Sequence, residues 1–355
     1  MKKILASVLG VIFIFTSCGG GQGKDYKTEN ENKTIATEDS KAESDSQAEP
    51  IETITLEFGM TSGVQSNEYK AVEFLKEILG EKSNGALELN IFPDAQLGDD
   101  RAMIDQCIAG QLDITLGETG RLGLWLKEAE LFQLPYVFDD YEDLRTSLFE
   151  TEEGKTLIQK FEDELNIIFV DTAYNGTRQT SSNFPINSIE DMKGMKLRVP
   201  NAQANLEFAT NIGASPTPMA FSEVYLALQT NAVDGQENPL SAIKSSKFYE
   251  VQSHIALTNH ILNDQGYLVS KATFDTLTPE LQNILMESIK EAVEYHTELF
   301  VEDEKGLIDF FEGEGVTITK PNMSKARAMM QPSYDRYLSE SGDAGKALYD
   351  AIIGN

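Results

Sequence analysis

Two arginines and an asparagine stand close together in Asn175-Gly176-Thr177-Arg178, Met195-Lys196-Leu197-Arg198-Val199-Pro200 and Val233-Asp234-Gly235-Gln236-Glu237-Asn238-Pro239. Arg178 and Arg198 fall at strand-like positions, and Asn238 follows Asp234-Gly235, a turn signal. A guanidinium is a planar fork that matches both oxygens of a carboxylate and stays charged at physiological pH. An amide adds one donor and one acceptor, enough to fix a carboxylate or a hydroxyl. Residues of these types at this spacing suit the grip of a small organic acid. Plainer roles compete: a surface or interlobe salt bridge for Arg198, pairing of Arg178 with an acid such as Glu118, and turn stabilisation by Asn238. Phe221 reads either as core or as an apolar platform. In a chain of net charge -29, such a positive spot is not incidental.

These residues need a scaffold, and the hydrophobic pattern supplies one. Short apolar runs alternate with amphipathic helical stretches, the mark of an α/β fold. Strands are predicted over 54–58, 87–92, 112–116, 167–171 and 196–199, and helices over 67–79 and 99–109. Late in the chain, Thr278 reads as an N-cap and Pro279 as a first-turn proline. Leu281, Ile284, Leu285, Ile289, Ala292, Val293, His296, Leu299 and Phe300 then recur at helical spacing, and the pattern reaches Phe310 and Phe311 before Gly313 and Gly315. A helix of about 45–50 Å, at 1.5 Å per residue, exceeds one small lobe and is expected to lie across two.

The first residues resemble an export signal: Lys2 and Lys3, an apolar run from Ile4 to Phe15, then Phe15-Thr16-Ser17-Cys18. The last four residues resemble a lipobox, which predicts acylation of Cys18 after removal of residues 1–17. Residues 18–51, rich in Gly, Ser, Thr, Asn, Glu, Asp and Lys, read as a flexible tether. The remaining 300 or so residues suffice for two modest lobes. Cys107 is the only other cysteine and sits on an apolar helix side, so it reads as a small buried hydrophobe. The acidic balance argues against nucleic acid as a partner. His254, His260 and His296 lack metal-ligand spacing, and no nucleophile elbow or Walker loop is present.

From about Thr55 onward the chain resembles the extracytoplasmic binding subunits of tripartite ATP-independent periplasmic (TRAP) transporters, the DctP family, and most of all their sialic-acid-binding members. The resemblance rests on Gln96-Leu97-Gly98-Asp99-Asp100-Arg101-Ala102-Met103, Lys196-Leu197-Arg198-Val199-Pro200-Asn201-Ala202, and Gly213-Ala214-Ser215-Pro216-Thr217-Pro218-Met219-Ala220-Phe221 through Glu223-Val224-Tyr225 to Asn238-Pro239-Leu240. It implies an α/β, two-lobe, type II periplasmic-binding-protein-like clamp with hinge strands and a long helix spanning both lobes. Lobe I would comprise 52–175 and 264–303, and lobe II 176–263 and 304–355.

The resemblance also implies site roles. Arg198 would form the bidentate pair with a ligand carboxylate and Arg178 would assist it. Asn238 and Phe221 would complete that wall. Glu118 and Asp100 would accept hydroxyls of a polyol, with Arg121, Asn201 and His260 in a lower tier. Thr61 stands where these binders typically carry asparagine after Phe58-Gly59-Met60. The paired acids Asp100 and Glu118 would otherwise suggest glycosidase chemistry, but the arginines and the shared strings account for them. A solute receptor is therefore expected, not an enzyme, without cofactor, lipid-anchored outside the cytoplasm. It would pass sialic acid or a related sugar acid to membrane permease subunits. Another organic acid, a sensory module and an enzyme acting on sialic acid are the alternatives.

Overall fold

The computed structural model describes residues 53–353, so the signal-like head, Cys18 and the polar tether lie outside it. Leu56 and Phe58 are buried while Thr55 and Glu57 are exposed, the period of two that makes the first apolar run a strand. Ten strands form one continuous sheet: β1 Ile54–Gly59, β2 Leu87–Phe92, β3 Ile114–Gly117, β4 Ile167–Ser182, β5 Lys196–Val199, β6 Ser215–Pro218, β7 Gly235–Pro239, β8 His254–Ala256, β9 Leu262–Ser270 and β10 Thr317–Thr319. The main order is β2-β1-β3-β9-β4-β7-β5-β6, with β8 beside β4 and β10 beside β8.

β4 joins the two halves. Its first part pairs with β9, whose other edge meets β3, while its last part pairs with β7 and β8. The pairing with β9 shifts register between Tyr174 and Thr177, where Gly176 takes φ +88°. The expected strand over 167–171 is thus 16 residues long. The region around Gly176 is a bulge inside it, not the end of a strand.

Each half of the sheet has its own core, the two-lobe arrangement. Leu56, Phe58, Leu75, Leu87 and Ile114 pack in one, and Val224, Val233, Ile243 and Ile255 in another. The long helix Pro279–Gly313 serves both: Leu285, Ile289, Ala292 and Val293 enter the first core, and Leu307 and Phe311 the second. Thr278 caps it through Leu281 N, with Pro279 in the first turn. Its 35 residues make about 52 Å at 1.5 Å per residue. A third cluster runs from Leu131, Phe161 and Phe169 to Leu197, Phe208 and the C-terminal Tyr337 and Leu348, so the last helices brace elements from both halves.

Candidate functional site

A cavity of about 710 Å³ opens between the halves of the sheet, within the range that takes small molecules. The loop after β1 supplies Thr61 and Ser62, and the helix Asp100–Ile108 supplies Asp100 and Arg101. Glu118 and Arg121 come from the turn following β3. The opposite side is built by Arg178 on β4, Arg198 on β5, Asn201 beyond it, Phe221 and Asn238. All nine residues assigned to the site from sequence line this one cavity. His260 does not. It lies beneath the wall, ring to ring with Phe208 at 3.9 Å, its Nε2 3.1 Å from a Glu237 carboxylate oxygen.

The two arginines differ sharply in their surroundings. Arg178 is held by the Glu237 carboxylate through Nε and Nη2, by Asn263 Oδ1 at 3.1 Å, Asn238 Oδ1 at 3.1 Å and the Glu237 carbonyl at 2.8 Å. Glu118 Oε1 accepts from its Nη1 at 3.2 Å. Its donors are fully engaged within the protein, so both the acid-pairing role and the place in the wall are realised. Arg198 is equally buried, at 2 % exposure, yet among the described residues no carboxylate lies within ion-pair distance of it. Only Nη2 donates, to the Met219 carbonyl at 2.8 Å, and Nε is left without a partner. Burial pulls this guanidinium down to about 9, against the pull of Glu237 and with the push of Arg178 and Arg121. It still carries its charge at neutral pH. A desolvated cation without an acid is a site prepared for an incoming anion.

The facing wall is a web of acids and acceptors. Arg121 donates to Glu118 Oε2 at 3.1 Å, and its Nε lies 3.0 Å from Asp100 Oδ2 without hydrogen-bond geometry. Gln133 also donates to Glu118. Asp100 opens its helix, Asp99 being the cap, so dipole and ion-pair roles coincide there. Gln265 Oε1 is buried without a partner and belongs to a residue lining the cavity. Phe221 stays partly open, edge-on to Phe248 at 5.8 Å. An apolar face between a lone buried guanidinium and unfilled acceptors matches a hydroxylated acid.

One local expectation is corrected. The chain bends up to Asp234, but Gly235 is not part of that turn: residues 235–239 form β7, buried throughout and paired with β4 so that Asn238 faces Gln179. Gly235 is needed there because any Cβ would run into the Ser181 carbonyl and the Met195 methyl. Glu68, Asn175, Asn263 and Gln265 also line the cavity and were not read as site residues. Glu68 sits in the first turn of the helix Asn67–Lys82, where an acid passes for a dipole partner. The Asn263-Asp264-Gln265 triplet, polar inside an otherwise apolar strand, was the available signal for Asn263 and Gln265.

A two-lobe α/β clamp with one buried, unpaired guanidinium in its cleft is the architecture of a solute-binding protein. The chain belongs to the DctP family, bacterial extracellular solute-binding protein family 7, which matches residues 58–341. These are the binding subunits of TRAP transporters, which points to a binding role and not a catalytic one. The sialic acid-binding periplasmic protein SiaP of Vibrio cholerae serotype O1 is 49% identical over 288 residues, covering 81% of this chain and 89% of that one. The 2,3-diketo-L-gulonate-binding periplasmic protein YiaO of Escherichia coli is 32% identical over 74% of this chain and 80% of its own. The sugar acid binding protein DctPAm of Advenella mimigardefordensis, solved with galactonate, superposes with a TM-score of 0.80 at 28% identity, over 86% of this chain and 99% of that one.

Proposed function

We propose that this protein is the extracytoplasmic receptor that captures sialic acid (N-acetylneuraminic acid) and delivers it to the permease subunits of a TRAP transporter. The ligand carboxylate pairs with Arg198, whose buried Nε has no partner among the described residues; that observation carries the reading. Arg178 and Asn238 border the same oxygens, and Phe221 meets the apolar side of the sugar. Glu118, Asp100, Arg121, Asn201 and Thr61 take the hydroxylated end. The 49% identity to a sialic acid-binding protein supports this ligand over other acids. Lobes of 52–175 with 264–303, and of 176–263 with 304–355, close around it by bending at the β4 bulge. A lipid on Cys18 holds the receptor to the membrane; labelling with a radioactive fatty acid, lost in Cys18→Ala, tests the anchor.

A second reading keeps the clamp and changes the acid. Structural relatives were solved with galactonate and with β-D-galacturonate, at TM-scores of 0.80 each. Calorimetric titration of the purified protein with sialic acid, galactonate, galacturonate and succinate separates the two. Heat and thermal stabilisation with sialic acid alone support the first reading. Tighter binding of an aldonate or uronate replaces it with the second.

A further inference from the structure

The long helix passes from the first core to the second between Val293 and Leu307, and Asp303 and Glu304 stand in that stretch. Glu304 takes the Tyr174 hydroxyl at 3.0 Å, beside the β4 bulge, which pins the helix where the sheet bends. Asp303 reaches toward both halves at once. Its Oδ1 accepts from Lys244 Nζ at 2.6 Å, and its Oδ2 from the Asn67 amide at 3.4 Å. Lys244 belongs to the helix Leu240–Ser245, whose Ile243 packs in the second core. Asn67 opens the helix Asn67–Lys82, whose Val72 and Leu75 pack in the first. Both ends adjoin the cavity, through Ala242 and Ser245 on one side and Glu68 on the other. Lys70 Nζ donates to Asn67 Oδ1 at 3.0 Å; an ammonium can only donate, so it turns that oxygen to itself and the amide NH₂ to Asp303. Lys244 Nζ is steadied over the Phe310 ring of the long helix, 5.3 Å from its centre.

We propose that Asp303 is the clasp of the clamp: through Lys244 and Asn67 it ties the two halves while they are shut, and so sets how slowly the ligand leaves. The inference rests on the reading that a sugar acid is held in this cleft. Bending at the β4 bulge parts the helix of Asn67 from the helix of Lys244, since each moves with its own core. Whichever core Asp303 follows, one of its two contacts must be given up on opening. The tie therefore stabilises the shut form and not the open one, and a bound ligand adds its own preference for the shut form. Such a tie acts on release more than on capture, because an approaching ligand meets an open cleft in which it is already broken. Asp303 is a positioning residue, touching the ligand nowhere. Both partners of its ion pair are partly exposed, which limits the effect to severalfold.

The test is stopped-flow kinetics and calorimetric melting of the full chain with sialic acid, or with galactonate where that binds more tightly. Asp303→Ala removes both contacts at a helical position, where alanine is the best former. Dissociation is expected to quicken about three- to tenfold while association stays within about twofold. Lys244→Met removes the ion pair alone and should give part of that change; in the Asp303→Ala background it should add almost none. A residue that merely packs would lower the melting temperature of the free protein and leave the dissociation rate in place. Should Asp303→Ala fail to fold, Lys244→Met decides, with release quickened at least about twofold. A release rate unmoved in the variants, or effects of the two substitutions that simply add, overturns the clasp and leaves the binding site as described. Failure of both acids to bind the wild type removes the sugar-acid reading beneath it.

Discussion

Replacing Arg198 by methionine should make the free protein more stable and useless as a receptor. The guanidinium is buried without an acid, and desolvation drags it from its ordinary range to about 9. A base depressed from about 12.5 to 9 costs up to about 5 kcal/mol to keep charged in the folded state, at 1.36 kcal/mol per unit. The sign follows from proton counts. Between pH 9 and 12.5 the unfolded chain holds this proton and the folded one does not, so stability rises across that window and the whole cost is present at pH 7. Methionine fills much of the volume but gives up the bond to the Met219 carbonyl, a loss of about 1 kcal/mol. Replacing even a buried ion pair by well-packed apolar residues is often neutral or gains about 1–4 kcal/mol, and here no paired acid is left behind. The net expectation is a gain of roughly 1–3 kcal/mol, a rise in melting temperature of about 2–5 °C for a chain of this size. Binding should fall by at least about 2–3 kcal/mol, roughly 30- to 150-fold. Calorimetric melting with and without ligand reads both effects. A lower melting temperature in the free variant, or affinity kept within tenfold, would refute the account of Arg198 as a cation held in readiness.

Other consequences are as accessible. Asp264 is buried, and accepts from Thr119 N–H at 3.1 Å, the Thr119 hydroxyl and the Thr172 hydroxyl, yet burial pushes it up to about 6. With an unfolded value near 3.9, the folded protein holds the extra proton between about pH 4 and 6, so the wild type loses stability as pH rises. Measured against Asp264→Asn by denaturant melts, it should lose up to about 3 kcal/mol from pH 4 to 7, and a flat difference counts against this. Gly235→Ala places a methyl against the Ser181 carbonyl in the β4–β7 ladder and should destabilise by more than about 2 kcal/mol; urea melts check it. Thr61→Asn should tighten sialic acid binding by about 1 kcal/mol, one hydrogen bond's worth; complete loss of binding would tell against the same ligand being held there with one contact shortened. Association should quicken as salt rises, because the net charge of -29 repels an anion at a distance and salt screens it. Dissociation should change little, the Arg198 pair being shielded by burial; stopped-flow rates at low and physiological salt decide.

Much of this architecture was readable where apolar residues mark the elements. The strand at 87–92, the helix beginning at 67 and the capped long helix emerged from alternation and helical spacing because each has one apolar face against a core. β4 and β7 escaped in part for the opposite reason. Residues 175–182 and 235–239 are buried on both faces yet polar, and their side chains find polar partners: Thr180 with Thr258 at 3.2 Å, Gln179 with Asn259 at 2.7 Å, Arg178 with Glu237. A rule that locates burial by hydrophobicity reads such strands as turns. The same physics limits the reading of the site. Arg178 and Arg198 look alike in sequence, each a guanidinium on a strand, and only their neighbours make one a structural tie and the other an open cation. Glu237 and Glu118 are spent on Arg178, and none of the described residues brings a carboxylate within ion-pair distance of Arg198. Arg178 and its acids therefore build the floor of the cleft and hold β4 to β7. What the ligand adds on binding is the single counter-ion that the fold withholds from Arg198.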